Sequence, residues 1–229
     1  MPVGKQAKND WLAIRNTRLE PPPFCGYEDI GAFVLLIVSL GPILRLLVGL
    51  HFLSRSSIIN PSVGLQSAVV VFLSAGLYLV LRVRHRRPVL KPLGWVVPHM
   101  AHIFTALIVG PLFAAGIAVY LRLRNETTPP ISTAELLVLG FVLGPLLEES
   151  FFRGCLLPVL ARTTGTIPAV LITAAVFALF HRPTNLVHWI SFTATGVAYG
   201  WIRVTSRSTT AAAIMHAAYN LSLFVFVVL

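Results

Sequence analysis

The stretch WVVPHMAHIFTALIVGPLFAAGIAVYL, residues 95–121, has no Asp, Glu, Lys or Arg in 27 positions. An α-helix rises about 1.5 Å per residue, so about 20 apolar residues suffice to cross a hydrocarbon core of roughly 30 Å. Two further blocks, Ile30–Leu53 and Val63–Leu81, have the same character, with Arg45 their one charge. These are blocks and not amphipathic stripes. At 56% hydrophobic and 11% charged residues, with a mean hydropathy of +0.80, the chain is too apolar for a soluble domain. The fold class expected is all-α, a multi-pass transmembrane helical bundle.

Seven spans are expected. They are 30–53, interrupted at Gly41-Pro42, then 63–81, 95–121, a long helix from Thr133 to Arg162 bent at Gly144-Pro145, 167–181, 186–204 and 209–229. TTGT (163–166), RPTN (182–185) and SRST (206–209) supply the last three turns. The chain thus divides into a basic, Pro-containing arm (1–29), peripheral helices (30–131) and a C-terminal helical core (132–229) that carries the chemistry. The arm has no apolar run of signal-peptide type. A short interfacial helix is expected in it around Trp11, Leu12 and Ile14.

A net charge of +10 would suggest nucleic acid in a soluble protein. Here the basic residues cluster between apolar blocks, most densely in RVRHRRPVLK (82–91), as membrane topology requires. The expected partner is membrane lipid and not nucleic acid. Lys and Arg number twelve on one set of alternate segments and four on the other, which places the N-terminus inside. Cys25 and Cys155 form no CxxC and no metal-ligand spacing, and Cys155 is expected as a small core residue. His51, His99, His102 and His188 are expected as interfacial or core histidines, and Gly196 with Gly200 as a close helix contact.

Against this background GPLLEESFFRGCLLPVLAR (144–162) is anomalous. It places two of the chain's eight acidic residues, Glu148 and Glu149, side by side in an apolar helix. Ionisable groups in a bilayer cost roughly 2.5–3.5 kcal/mol each on insertion scales, so they mark candidate functional sites. Glu149 and Arg153 are spaced i, i+4 in the favourable order, which suits an ion pair. Glu148 has Phe152 at that spacing and is left free. About the turn at 164–165, Glu148 lies about 16 residues before and His181 about 16 after, so the two share one height in a helical hairpin. Phe177 with His181 and His216 with Asn220 are also i, i+4 pairs.

Several chemistries lack their motifs. There is no HExxH and no GxSxG, and the two aspartates, Asp10 and Asp29, lie outside the spans. A glutamate, two histidines and an asparagine remain. A carboxylate can act as general base, and imidazole and carboxamide N–H groups can donate to an oxyanion. A zinc-dependent membrane protease using His181, His216 and a glutamate, and a non-catalytic immunity or scaffold protein, stay open as alternatives.

EESFFR, FALFH and HAAYN, in that order, fit EExxxR, FxxxH and HxxxN. This set resembles the CAAX prenyl protease and bacteriocin-processing family, also called CPBP or Abi, of intramembrane glutamic endopeptidases. The resemblance covers residues 132 to 229. It implies that Glu148 and His181 activate a water, that His216 and Asn220 stabilise the oxyanion, and that Glu149, Arg153 and Phe177 support the site. It further implies hydrolysis near the C-terminus of a lipidated (CAAX-like) or hydrophobic peptide, with no metal and no cofactor. The expected location is a bacterial cell membrane, with the active site opening towards the cytoplasm.

Overall fold

The computed structural model describes residues 24–49, 61–124 and 136–228. The interfacial helix expected around Trp11 and the side chain of His51 lie outside them. The described residues form α1 (Tyr27–Gly49), α2 (Pro61–His85), α3 (Met100–Leu123), a composite α4, α5 (Thr166–Phe180), α6 (Leu186–Ser206) and α7 (Thr209–Val228). Helix α4 joins four contiguous parts: Leu136–Leu143, Gly144–Glu149, Ser150–Leu156 and Leu157–Thr164. No strand occurs among the described residues, so the fold is the expected all-α bundle.

Three described stretches are long and apolar enough to cross a membrane: Ser67–His85, Met100–Leu123 and Thr209–Val227. Their outer faces are apolar too. Leu79, Phe104, Ile108 and Leu112 are each about 60% exposed, a pattern suited to lipid and costly in water. The chain is an integral membrane protein.

Three expectations about spans need correction. Helix α1 runs unbroken through Gly41-Pro42. Helix α3 starts at Met100 and not at Trp95, because Pro98 precedes His99, whose side chain caps the helix by accepting from the Ala101 N–H at 3.2 Å. Residues 95–97 are apolar yet belong to a loop. Third, the irregularity of α4 is not one bend. Its parts 136–143 and 150–156 are π-helical, with widened turns. Each lies just before a proline, Pro145 or Pro158, which has no N–H to give to the carbonyl four residues back. At Gly144 an added Cβ would stand 2.6 Å from the Leu139 carbonyl oxygen, so the first widened turn requires glycine.

Turns and small residues set the remaining packing. Gly165, at φ 88°, is the single residue between α4 and α5. Asn185 caps α6 by accepting from the His188 N–H at 2.9 Å. Gly196 and Gly200 face Ala174 and Val170 of α5, where a Cβ would come to 3.0 Å, so the expected close contact is with that helix. Gly110 of α3 likewise lies against the Met215 carbonyl of α7.

One end of the bundle gathers the basic segments. Asp29 at the start of α1 is held by Arg84 at 3.0 Å and His85 at 3.2 Å at the end of α2. Tyr27 meets Thr163 before the α4–α5 turn at 2.8 Å, and the Thr209 N–H after the α6–α7 turn donates to Gly94 O at 2.7 Å. At the other end, Arg122 of α3 donates to the Phe226 carbonyl of α7 at 2.8 Å. Cys25 and Cys155 form a disulfide, with Cα atoms 5.3 Å apart. Cys155 is therefore buried as expected but is not a free core thiol, and the bridge ties the N-terminal segment to α4.

Candidate active site

The middle of α4 presents its two glutamates to different surroundings, because neighbouring helical positions face about 100° apart. Glu149 is fully buried and Glu148 is 29% exposed. Glu149 is held on two sides. Arg153 Nη1 donates to its Oε1 at 3.2 Å, and Arg153 Nε makes an ionic contact with Oε2 at 3.2 Å. His216 Nδ1 lies 2.9 Å from Oε1. A carboxylate can only accept, so Nδ1 carries the proton in that bond.

Arg153 is also fully buried. Its Nη2 donates to the Gly196 carbonyl at 3.0 Å, which uses the bare backbone of α6. Its guanidinium lies 4.7 Å from the Phe177 ring centre and 5.2 Å from that of Tyr199. Buried charges need partners on this scale, and Arg153 has a carboxylate, a carbonyl and three aromatic rings, the third being Phe152 at 5.6 Å. The expected Glu149–Arg153 ion pair is present.

Glu148 faces α5. Its Oε2 lies 3.7 Å from His181 Nε2 and has no hydrogen-bond partner. His181 caps the end of α5, with Nδ1 2.9 Å from the Phe177 carbonyl oxygen. A carbonyl accepts, so Nδ1 carries a proton, and Nε2 is the ring nitrogen that faces Glu148. Phe192 of α6 stacks on the ring at 4.4 Å. Glu148 and His181 thus stand at one height across the α4–α5 hairpin.

His216 and Asn220 share one face of α7 but do not act on one partner. The Asn220 Nδ2 donates to the Gly140 carbonyl at 2.7 Å, in the first widened part of α4. His216 stacks on Tyr199 at 4.9 Å. Phe177 is the hub of the site, with its ring 4.4 Å from His181, 5.9 Å from His216 and 6.0 Å from Tyr199. Six of the seven expected site residues, Glu148, Glu149, Arg153, Phe177, His181 and His216, therefore form one contiguous cluster, and Asn220 lies one helical turn beyond His216 on α7.

Counted along the helices, fifteen residues separate Glu149 from Thr164 and seven separate Thr209 from His216. The α4–α5 turn thus lies further from the Glu149–His216 bond along its helix than the α6–α7 turn does. Sequence reasoning missed Tyr199, Ser150 and the Glu149–His216 bond. A tyrosine in the turn after Gly196 was the one available signal.

Among the described residues, no group of three or more His, Cys, Asp and Glu side chains is arranged to hold a metal ion. His99 is a cap, and His102 Nδ1 is buried without a partner. On the first turns of α6, whose Phe192 stacks on His181, Trp189, Ile190, Thr193 and Ala194 line a shallow, mostly apolar groove of about 350 Å³.

No curated protein sequence and no solved structure matches the chain. Residues 129–222 match the family model for Rce1-like proteins, type II CAAX prenyl endopeptidases. That segment holds every site residue described above, and over it the chain is similar to the CAAX prenyl proteases, which supports the resemblance carried by the three motifs.

Proposed function

We propose that the chain is an intramembrane glutamic endopeptidase cleaving a lipidated, CAAX-like or hydrophobic peptide near its C-terminus. The observation that carries this reading is the Glu148–His181 pair. A carboxylate oxygen without a hydrogen bond and an imidazole nitrogen stand 3.7 Å apart, each on a side chain about a quarter exposed. Oε2 is itself buried in this conformation, and a small turn of the Glu148 side chain would let one water lie about 2.8 Å from both. With the His181 ring neutral, two acceptors facing one water orient its lone pair outwards and take its proton as it attacks.

In the proposed step the water oxygen bonds to the scissile carbonyl carbon, and its proton passes to Glu148. His216, in its imidazolium form, keeps Nδ1–H on Glu149 and offers Nε2–H to the oxyanion. Asn220 gives one amide hydrogen to Gly140 and has a second to donate. The proton then moves from Glu148 to the leaving nitrogen, the C–N bond breaks, and a carboxylic acid and an amine result, the acid's proton passing to the amine. Glu149 and Arg153 hold His216 in place and touch no substrate. The apolar groove on α6 suits the hydrocarbon part of the substrate.

A zinc ion is ill matched to these donors. Glu149 is held by Arg153 and His216, and the buried guanidinium would repel a dication. Glu148 as a ligand would leave no base. The test is a cleavage assay on farnesylated and unmodified C-terminal peptides, with mass spectrometry of the products. Release of a short C-terminal fragment supports the reading. Intact peptides of both kinds, with correctly folded protein, count against it.

A further inference from the structure

The loop between α2 and α3 touches both helices that supply the buried half of the site. On the α7 side, the Thr209 N–H donates to Gly94 O at 2.7 Å and Thr209 Oγ1 to Leu93 O at 2.5 Å. Ser208 Oγ donates to Val96 O at 2.6 Å. On the α4 side, Trp95 Nε1 lies 3.1 Å from Ser150 Oγ, next in sequence to Glu149.

The polarity of this network follows from proton counting. Ser150 Oγ donates its one hydrogen to the Leu146 carbonyl at 2.6 Å. Its two lone pairs then accept from Trp95 Nε1–H and from the Tyr78 hydroxyl, at 3.1 Å each. The hydroxyl is saturated and fully buried. The backbone N–H of Ser150 bonds the same Leu146 carbonyl, so residues 146–150, the turn carrying both glutamates, are closed twice. Such back-bonding to the i−4 carbonyl bends helices, and the second widened part of α4 starts at Ser150.

At the other end, Thr209 and His216 are two helical turns apart on one face of α7, so a shift at Thr209 carries through to His216. Thr209 Oγ1 gives its hydrogen to Leu93 and accepts from Arg203 Nε at 3.1 Å. Gly94 has φ +84°, and a Cβ there would stand 2.8 Å from both Arg203 and Thr209. The loop is fitted to this place.

We infer that residues 93–96 are a strut fixing the register of α4 against α7, with Trp95 and Thr209 as positioning residues for the Glu149–His216 bond. The strut comes from outside the matched segment 129–222. Its effect on turnover rests on the proposed peptidase reading.

The test uses the full chain in detergent with Trp95→Phe, Thr209→Val, their combination, and Thr209→Ser. Each single variant keeps most of the side-chain volume. Trp95→Phe and Thr209→Val should each lower kcat by roughly tenfold to a hundredfold, as a small misplacement does, with KM and Tm little changed. Thr209→Ser should recover the wild-type rate. The double variant should be no slower than the slower single, since one strut fails only once. Losses that multiply, a kcat equal to wild type, or a kcat that merely tracks Tm would overturn the strut. A second readout needs no catalysis: the ¹⁵N-histidine resonance of His216 Nδ1–H. It should move in both single variants and return in Thr209→Ser. An unmoved resonance overturns the strut even if no peptide is cleaved. A moved resonance in a protein that cleaves nothing leaves the strut standing and the peptidase reading refuted.

Discussion

His216 Nδ1 and Glu149 Oε1 meet at 2.9 Å across 67 residues of chain, and Arg153 reaches the same oxygen. One buried carboxylate thus organises a cation and an imidazole, and its neighbour Glu148 is left to face His181.

Removing Arg153 should be a folding lesion as much as a catalytic one. Arg153→Ala leaves Glu149 buried without its cation, at about 3–5 kcal/mol. Arg153→Ala with Glu149→Gln should recover part of that loss, because the amide oxygen still accepts from His216. Denaturation in detergent measures both. A double variant no more stable than Arg153→Ala would contradict the ion pair's role.

Asn220→Ala should reduce kcat by roughly 10²–10³ with a smaller change in KM, as expected for one oxyanion donor. Asn220→Asp should be no better, since a carboxylate would face the Gly140 carbonyl, acceptor against acceptor. A change in KM alone would make Asn220 a binding residue.

The Cys25–Cys155 bridge closes a loop of 130 residues. By loop entropy it stabilises the fold by up to about 5 kcal/mol. Reductant should lower the unfolding midpoint of the wild-type protein and leave that of Cys25→Ser unchanged. Equal sensitivity of the two would show that the bridge is not formed.

The end of the bundle holding residues 82–91 should face the cytoplasm. Arg86→Cys should therefore resist a membrane-impermeant thiol reagent added to intact cells, and Arg124→Cys should react. The opposite pattern would invert the topology.

How far the sequence foretold this arrangement depended on the range of each contact. Helical rise and period are fixed, so Glu149–Arg153 and the Glu148–His181 pairing across one short turn could be worked out from residue numbers. The Glu149–His216 bond could not, because it depends on the register between α4 and α7, which the 93–96 loop influences. Hydropathy misplaced the start of α3 for a related reason. Trp95–Val97 are apolar as a membrane helix would be, yet their backbone groups are satisfied partly by Ser208 and do not need a helix. The Cys25–Cys155 bridge left no spacing signal, since its partners are brought together only when α1 docks beside α4.

Water activation by Glu148 is the centre of the mechanism, and Glu148→Gln tests it most directly. The amide is nearly isosteric, and Glu148 makes no hydrogen bond through Oε2 that folding would miss. The purified variant should keep the wild-type unfolding midpoint and lose at least about 10³-fold in kcat, since it can no longer take the proton of the attacking water. Turnover within about tenfold of wild type would contradict the account, because the proton would then have another acceptor.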